Sequence, residues 1–378
     1  MTDKMQVNLR QVAMEILYEV QKNNGLLHVV LSDALKKYQY LDKNERSFIS
    51  RLVQGTEERK IELDYIIDSF SKTPVKKQKD VIRIILEMSV YQLKYMDSVP
   101  ASAVCNEAVK LAVKKNFGTL RGFVNGVLRN IARNIDNIEY PDKSTNTDKY
   151  LSVKYSVPEE LAGYFLKKFG DNETEEMFEA FNKDKSTYIR CNTKKTDIAG
   201  LTAALEAEGV TVTNEGIDKR IDYALKISGY DYLGGLKSFR DGLFFVQDIS
   251  SMLASQGGFI KRDAYVIDVC AAPGGKSINA ALMADIGHVS SRDISGRKVS
   301  LIKENAERLG IDNITYKVWD AVKKDEESVE KADVLICDLP CSGLGIIGRK
   351  PDIKYNVTYE KIKELALLQR KILSTVWE

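Results

Sequence analysis

The run Tyr265-Val-Ile-Asp-Val-Cys-Ala-Ala-Pro-Gly-Gly-Lys-Ser277 constrains this chain more than any other stretch. Tyr265, Val266, Ile267, Val269 and Cys270 suit a buried strand, with Asp268 near its end. The chain then turns through Ala271, Ala272, Pro273, Gly274 and Gly275, and a helical run follows from Ser277 to Met283. Strand, glycine turn and helix form the opening unit of a nucleotide-binding α/β sheet: the glycines admit a ligand close to the backbone, and the helix start offers free N–H groups. Two familiar versions are excluded. A P-loop needs glycine where Cys270 stands, and adjacent Gly274 and Gly275 do not make Gly-x-Gly-x-x-Gly.

The residues that follow extend the unit. His288–Asp293 reads as a second strand, Ile314–Asp320 as a third and Asp333–Asp338 as a fourth, with an amphipathic helix from Ser300 to Leu309. Asp293, Asp320 and Asp338 each close a strand at what is the same sheet edge, where ligands bind in open parallel sheets. Asp293 lies 18 residues past Gly275, the place from which a carboxylate accepts hydrogen bonds from the ribose hydroxyls of an adenosine.

Upstream, residues 1–140 read as a compact all-helical domain, with apolar stripes such as Val12, Ile16, Leu17, Val20 and Ile82, Ile85, Leu86, Val90. Residues 108–135 hold Lys110, Lys114, Lys115, Arg121, Arg129 and Arg133 and no acid; a solvated helix face and an RNA-phosphate surface both fit. Pro141–Lys149 lacks a large apolar residue and reads as an exposed linker. Within 141–240, short helices give way to a small α+β module of strands near 188–192, 210–213 and 223–227 and a helix from Ile198 to Glu208. Residues 241–378 form the Rossmann-like sheet domain. Arg190 and Asn192 sit two apart on the module's first strand and read, from the residues alone, as ordinary polar strand positions.

Cys341 follows Pro340 on the loop past the fourth strand. There it is a candidate nucleophile, or a small buried hydrophobe. With an adenosine-type sulfonium cofactor, a thiolate adding to carbon 6 of a cytosine pushes electron density onto carbon 5, which then takes a methyl group. Lys276 and Asp338, on neighbouring turns of the sheet edge, can hold the ring, and the base must be unstacked or in a loop.

Composition limits the alternatives. Five cysteines without Cys-x-x-Cys and two histidines argue against a disulfide framework or a structural zinc. The start, Met-Thr-Asp-Lys-Met-Gln, lacks an apolar signal core, and no run reaches membrane-spanning length. We therefore expect a cytoplasmic protein, monomeric, with no metal and no membrane partner. A net charge of +2 confines any nucleic-acid binding to local patches.

Two resemblances sharpen this reading. Arg10-Gln-Val-Ala-Met-Glu-Ile-Leu17, Asp42-Lys-Asn-Glu-Arg-Ser-Phe48, Pro100-Ala-Ser-Ala-Val-Cys-Asn-Glu-Ala-Val-Lys-Leu-Ala112 and Phe123-Val-Asn-Gly-Val-Leu-Arg-Asn130 resemble the NusB family of helical RNA-binding factors. This implies RNA contact at Lys114, Lys115 and Arg121. Asp268-Val-Cys-Ala-Ala-Pro-Gly-Gly-Lys-Ser277, Asp338-Leu-Pro-Cys-Ser-Gly343 and Arg349-Lys-Pro-Asp-Ile-Lys354 resemble the RNA cytosine-C5 methyltransferases of the NOL1/NOP2/Sun group, whose bacterial 16S rRNA enzymes carry a NusB-like domain in front.

The second resemblance implies S-adenosylmethionine as cofactor and 16S rRNA as partner. It puts Cys270, Ala271, Ala272, Pro273, Gly274, Gly275 and Lys276 along the methionine and ribose, Asp293 on the ribose, Asp320 near the adenine and Asp338 between cofactor and cytosine. It also puts Arg190 and Asn192 in an RNA-binding strand motif. The family's Pro-Cys cysteine, here Cys341, assists product release, while the attacking thiolate belongs to a later Thr-Cys motif. No cysteine follows Cys341 before the chain ends at Trp377-Glu378, so a C-terminally truncated form with an incomplete sheet is expected. The rival inference gives Cys341 the nucleophile's role. A non-catalytic RNA-binding protein with the α/β part as scaffold is the alternative of a different class. A nicotinamide dehydrogenase is disfavoured by the missing fingerprint.

Overall fold

In the computed structural model, residues 7–23, 25–183 and 186–377 are described; the polar start Met1–Gln6 lies outside them. The chain forms two compact units, one of residues 1–184 with 343–359 and one of residues 185–342 with 360–378.

The first unit is helical. Helices Leu9–Asn23, Leu27–Lys37, Lys43–Glu58, Lys60–Phe70, Asp80–Tyr95, Ala101–Lys114 and Arg121–Asn134 enclose one core, in which Leu17, Ile49, Leu52, Ile66 and Ile85 are fully buried. Asp80–Tyr95 buries Ile82, Ile84, Ile85, Leu86, Met88 and Val90, more than one face, as the central helix of a bundle must. Its neighbour approaches at Gly55, where a Cβ would come within 2.0 Å of the Tyr91 ring, so only glycine fits. Asp42 and Glu45 make a reciprocal capping box that starts helix Lys43–Glu58.

Three further helices, Thr147–Tyr155, Glu159–Phe169 and Asp171–Phe181, share a smaller core around Leu151, Phe165 and Phe178. The expected linker is thus shorter than its composition suggests. Asn146 accepts a hydrogen bond from the Lys149 amide and starts a helix whose apolar contacts come only with Leu151. The motif Arg349–Lys354 belongs to this unit too. Lys354 is buried with its Nζ 2.6 Å from the Glu58 carbonyl, Tyr355 donates to the Glu57 carbonyl at 2.8 Å, and Asp352 accepts from the Leu27 amide at 3.3 Å.

The second unit holds two four-stranded sheets. The first consists of β1 (Thr187–Cys191), β2 (Thr211–Thr213), β3 (Ala224–Ser228) and β4 (Phe244–Val246) in the antiparallel order β2-β3-β1-β4. Helix Ile198–Ala207 covers it over a core of Ile189, Leu201, Leu205, Leu225 and Phe244. The second consists of β5 (Tyr265–Asp268), β6 (His288–Asp293), β7 (Ile314–Val318) and β8 (Val334–Ile336), all parallel, in the order β7-β6-β5-β8. Alternation along the strands divides the faces. Val266 and Val289 pack with Ile278, Ile302 and Ala306 of helices Gly275–Met283 and Gly296–Leu309, while Ile267 and Leu335 pack with Ile372 of helix Tyr359–Val376.

Candidate active site

The parallel register brings the ends of β5, β6 and β8 to one edge, with Asp268 opposite Ser291 and Ile336. Beyond β5 the backbone turns sharply. Gly274 has φ +103°, and a Cβ there would press on Ile302 at 3.1 Å and Ile278 at 3.2 Å, so this turn requires glycine. Asn305 ties the turn down by donating to the Pro273 carbonyl at 3.1 Å. The helix after the turn begins at Gly275, earlier than the side-chain pattern indicates, because glycine and lysine carry no apolar signal.

Asp293 is only 4% exposed and is held from several sides. Its carboxylate accepts from the Ala272 amide at 3.2 Å and the Ile294 amide at 2.9 Å, and Lys298 Nζ lies 3.3 Å away. Asp268 is fully buried and accepts from the Ser277 hydroxyl at 2.7 Å. Burial raises its carboxyl to about 7, against the pull of the Ser277 hydroxyl and the Cys270 amide. Lys276 Nζ sits 2.6 Å from Asp338 Oδ2, linking the turn after β5 to the turn after β8. Asp320 accepts from the Val322 amide at 3.2 Å just past β7.

Asp293, Asp320 and Asp338 border one cleft with a volume of ≈ 310 Å³. Cys270, Ala272, Asp293, Asp320, Asp338 and Cys341 line it. Ala271, Pro273, Gly274, Gly275 and Lys276 belong to the turn behind these residues. The sequence reading missed Ile294, Lys298, Trp319, Leu368 and Ile372, which line it as well. Ile294 follows the strand-ending acid and is 63% exposed, an apolar face presented to the cleft. Its position directly after Asp293 was the available signal; Leu368 and Ile372 come from a helix distant in sequence and gave none.

The cysteines separate by environment. Cys105 and Cys191 are buried, Cys270 and Cys337 partly so, and Cys341 is exposed. Burial, with Asp293 and Asp268 nearby, pushes the Cys270 thiol up to about 11, and burial raises Cys337 too. Burial thus disfavours the thiolate at both.

Arg190 and Asn192, expected at an RNA contact, are buried and hydrogen-bonded within the second unit. Both are 1% exposed. The Arg190 guanidinium donates to the Gly275 carbonyl at 2.8 Å and to the Gln247 side chain, and stands over the Phe245 ring. Its Nε and Nη2 have no partner among the described residues, and burial lowers its pKa to about 9. Asn192 donates to the Gly242 carbonyl at 2.8 Å and the Leu309 carbonyl at 2.7 Å. Together they fasten the antiparallel sheet to the parallel-sheet domain. In the helical unit Lys114 and Arg121 are exposed, whereas Lys115 is half-buried and paired to Glu15 at 2.7 Å.

Comparison with known proteins agrees with this architecture. The NusB family model matches residues 7–133, and the model described as 16S rRNA methyltransferase RsmB/F matches residues 260–378. The probable ribosomal RNA small subunit methyltransferase B of Bacillus subtilis is 35% identical over 98% of this chain and 81% of its own length. The chain belongs to the ribosomal RNA small subunit methyltransferase B family. The Proteus mirabilis member is 28% identical over 99% of this chain and 85% of its own length. Among solved structures, the crystal structure of PH0851 superposes with a TM-score of 0.78 at 25% identity, covering 99% of this chain and 84% of that one. NSun6 from Pyrococcus horikoshii, solved with SFG, shares the fold at a TM-score of 0.52 and 22% identity, covering 58% of this chain and 79% of that one. The family thus unites a NusB-type helical domain with a methyltransferase sheet, as the two fold units do here. No helix among the described residues is long and apolar enough to cross a membrane.

Proposed function

We propose that this chain methylates carbon 5 of a cytosine in 16S rRNA in the cytoplasm, with S-adenosylmethionine as methyl donor and a cysteine adduct at carbon 6 of the base. The observation that carries the reading is one cleft bordered by Cys270, Ala272, Asp293 and the exposed Cys341. The residues fit an adenosine-type cofactor. Asp293 offers a fixed carboxylate for ribose hydroxyls, Ile294 an apolar face, and Asp320 an acceptor beside it, while Gly274 lets the turn behind them pack closely on Ile302 and Ile278.

When bound, S-adenosylmethionine supplies an electrophilic methyl group on a sulfonium. The protein's own groups handle the base. Lys276 orients the Asp338 carboxylate at the cleft wall, and that carboxylate is placed to accept from the exocyclic amine of a cytosine. A thiolate adding to carbon 6 moves the ring's electron pair onto carbon 5. Loss of the carbon-5 proton to a base later returns that pair and expels the thiolate. Exposed Cys341 is the one cysteine of the five that a base entering the cleft meets with its sulfur free of the core. Family resemblance assigns it instead to product release and gives the attack to a Thr-Cys cysteine that this sequence does not contain. Lys114 and Arg121, exposed on the helical unit, are the proposed phosphate contacts there.

A covalent trap tests the reading. The chain is mixed with S-adenosylmethionine and a 16S rRNA fragment carrying 5-fluorocytidine, whose fluorine cannot leave as a proton does. A denaturation-stable adduct that disappears in Cys341→Ser makes Cys341 the attacking thiol. No adduct, with cofactor binding intact, removes that role from all five cysteines present.

A further inference from the structure

The helical unit contains a cavity of ≈ 420 Å³ that none of the basic residues named above lines. Its size falls within the range of small-ligand pockets, about 300–1,000 Å³. Four tyrosines wall it: Tyr95, Tyr140, Tyr150 and Tyr155. Their hydroxyls are engaged. Tyr95 and Tyr140 donate to Glu62, which is buried at 2% exposure, Tyr155 donates to Glu175 at 3.0 Å, and Tyr150 accepts from Lys154 at 2.7 Å. With the hydroxyls fixed, the rings are held as rigid walls rather than mobile side chains.

Cations stand among the rings. Arg59 lies 5.1 Å from the Tyr95 ring centre, while Lys94 and Lys154 stand at the hydroxyl edges of Tyr140 and Tyr150, donating at 2.8 and 2.7 Å. Glu62 offsets part of this charge through Lys94 at 3.6 Å and Arg59 at 3.8 Å, and Glu175 meets Lys154 at 3.2 Å. Among the described residues, Arg59, Lys94 and Lys154 face the two carboxylates Glu62 and Glu175, one positive charge in excess. A purely structural ionic cluster closes on itself. This one leaves an open space between aromatic walls with unbalanced positive charge at its rim.

The ligand complementary to that combination is flat, aromatic and anionic. We propose that this pocket takes one unstacked nucleotide of an RNA strand, its base among the tyrosine rings and its phosphate at Lys94 and Lys154. The proposal rests on the reading that RNA is the substrate, and adds a second grip on that RNA within the helical unit. It assigns the helices at 147–183, which follow the NusB-matching segment, a part in substrate binding rather than in spacing alone.

The test uses the full chain and a short single-stranded RNA carrying one 4-thiouridine, photocrosslinked and mapped by peptide mass, alongside affinity titrations of a fluorescent 16S rRNA fragment at several salt concentrations. The crosslink is expected on peptides containing Tyr95, Tyr140 or Tyr150. Tyr150→Ala should weaken binding about 5- to 100-fold, the loss of one base–aromatic stack, while Tyr150→Phe, which keeps the ring, should retain it. Lys154→Gln should lower the slope of log affinity against log salt by about 0.7, one phosphate contact of a single strand. If Tyr150→Ala and Lys154→Gln change only the melting temperature, leaving affinity, salt slope and crosslink as they were, the pocket is structural and the proposal fails. Crosslinks confined to the Lys114–Arg121 region overturn it while sparing the RNA-substrate reading. No RNA binding, with S-adenosylmethionine binding intact, takes down both.

Discussion

Along the edge of the parallel sheet, the turns after β5 and β6 are closed and the turn after β8 is open. Asp268 and Asp293 are 0% and 4% exposed, and each carboxylate is held by fixed donors. Asp338 has a side chain 56% exposed, with the single ion pair to Lys276, and Cys341 beyond it is exposed. The strands differ in the same sense. Val266 and Val289 are fully buried, whereas Val334, Leu335 and Ile336, on an edge strand, are only half-buried. Among the described residues, the polar groups after β5 and β6 are thus fixed by their surroundings, and those after β8 are more solvated.

The largest effect expected from breaking the closed side comes from Arg190. Arg190→Ala leaves a cavity and strips the Gln247 side chain and the Gly275 carbonyl of their donor, so it should cost about 2–4 kcal/mol of stability in urea denaturation. Arg190→Met, which refills the volume without a buried cation, should recover part of that. Unchanged stability with reduced RNA affinity would restore the RNA-contact assignment. Next is Asp293→Ala. Calorimetry should show S-adenosylmethionine binding weakened by roughly 1–3 kcal/mol, the cost of unpaired polar partners, and equal affinity would remove Asp293 from the ribose.

On the open side the comparison predicts a split. Lys276→Met should alter stability by only about 0–1 kcal/mol, since its partner is largely solvated. Methyl transfer should nevertheless fall by about 10²-fold, as for loss of an oriented polar group at a reacting centre. A stability loss like that of Arg190→Ala would show this turn to be as closed as the other.

The smallest effect is a pH dependence. Asp268 holds its proton up to about 7 in the fold but releases it near 3.8 when unfolded. Between these values the folded chain binds one more proton, so its stability should fall as pH rises from about 4 to about 7 and then level off. Asp268→Asn should flatten that part of the profile measured by denaturant midpoints, and an unaltered slope would locate it in another group.

Much of this was legible in the sequence because it is local. Glycine at Gly274, the acids at the end of β6 and two residues past β7 and β8, and the helical stripes before residue 139 each express a rule that acts over a few residues. The helix from Thr147 was hidden because its N-cap Asn146 and its first three residues lie in what composition marks as linker.

The sequence by itself determined the order of elements, the glycine turn after β5 and the family to which the chain belongs, since backbone conformation and hydrophobic period are short-range properties. Tertiary structure alone decided which polar residues are available. Arg190 and Asn192 find their partners at Gln247, Gly275, Gly242 and Leu309, up to 117 residues away, and so become fasteners inside the second unit. Lys354, which a motif places after the cysteine loop, is buried among the helices of the first. Burial and hydrogen-bond saturation depend on contacts between distant segments, and no local pattern encodes them.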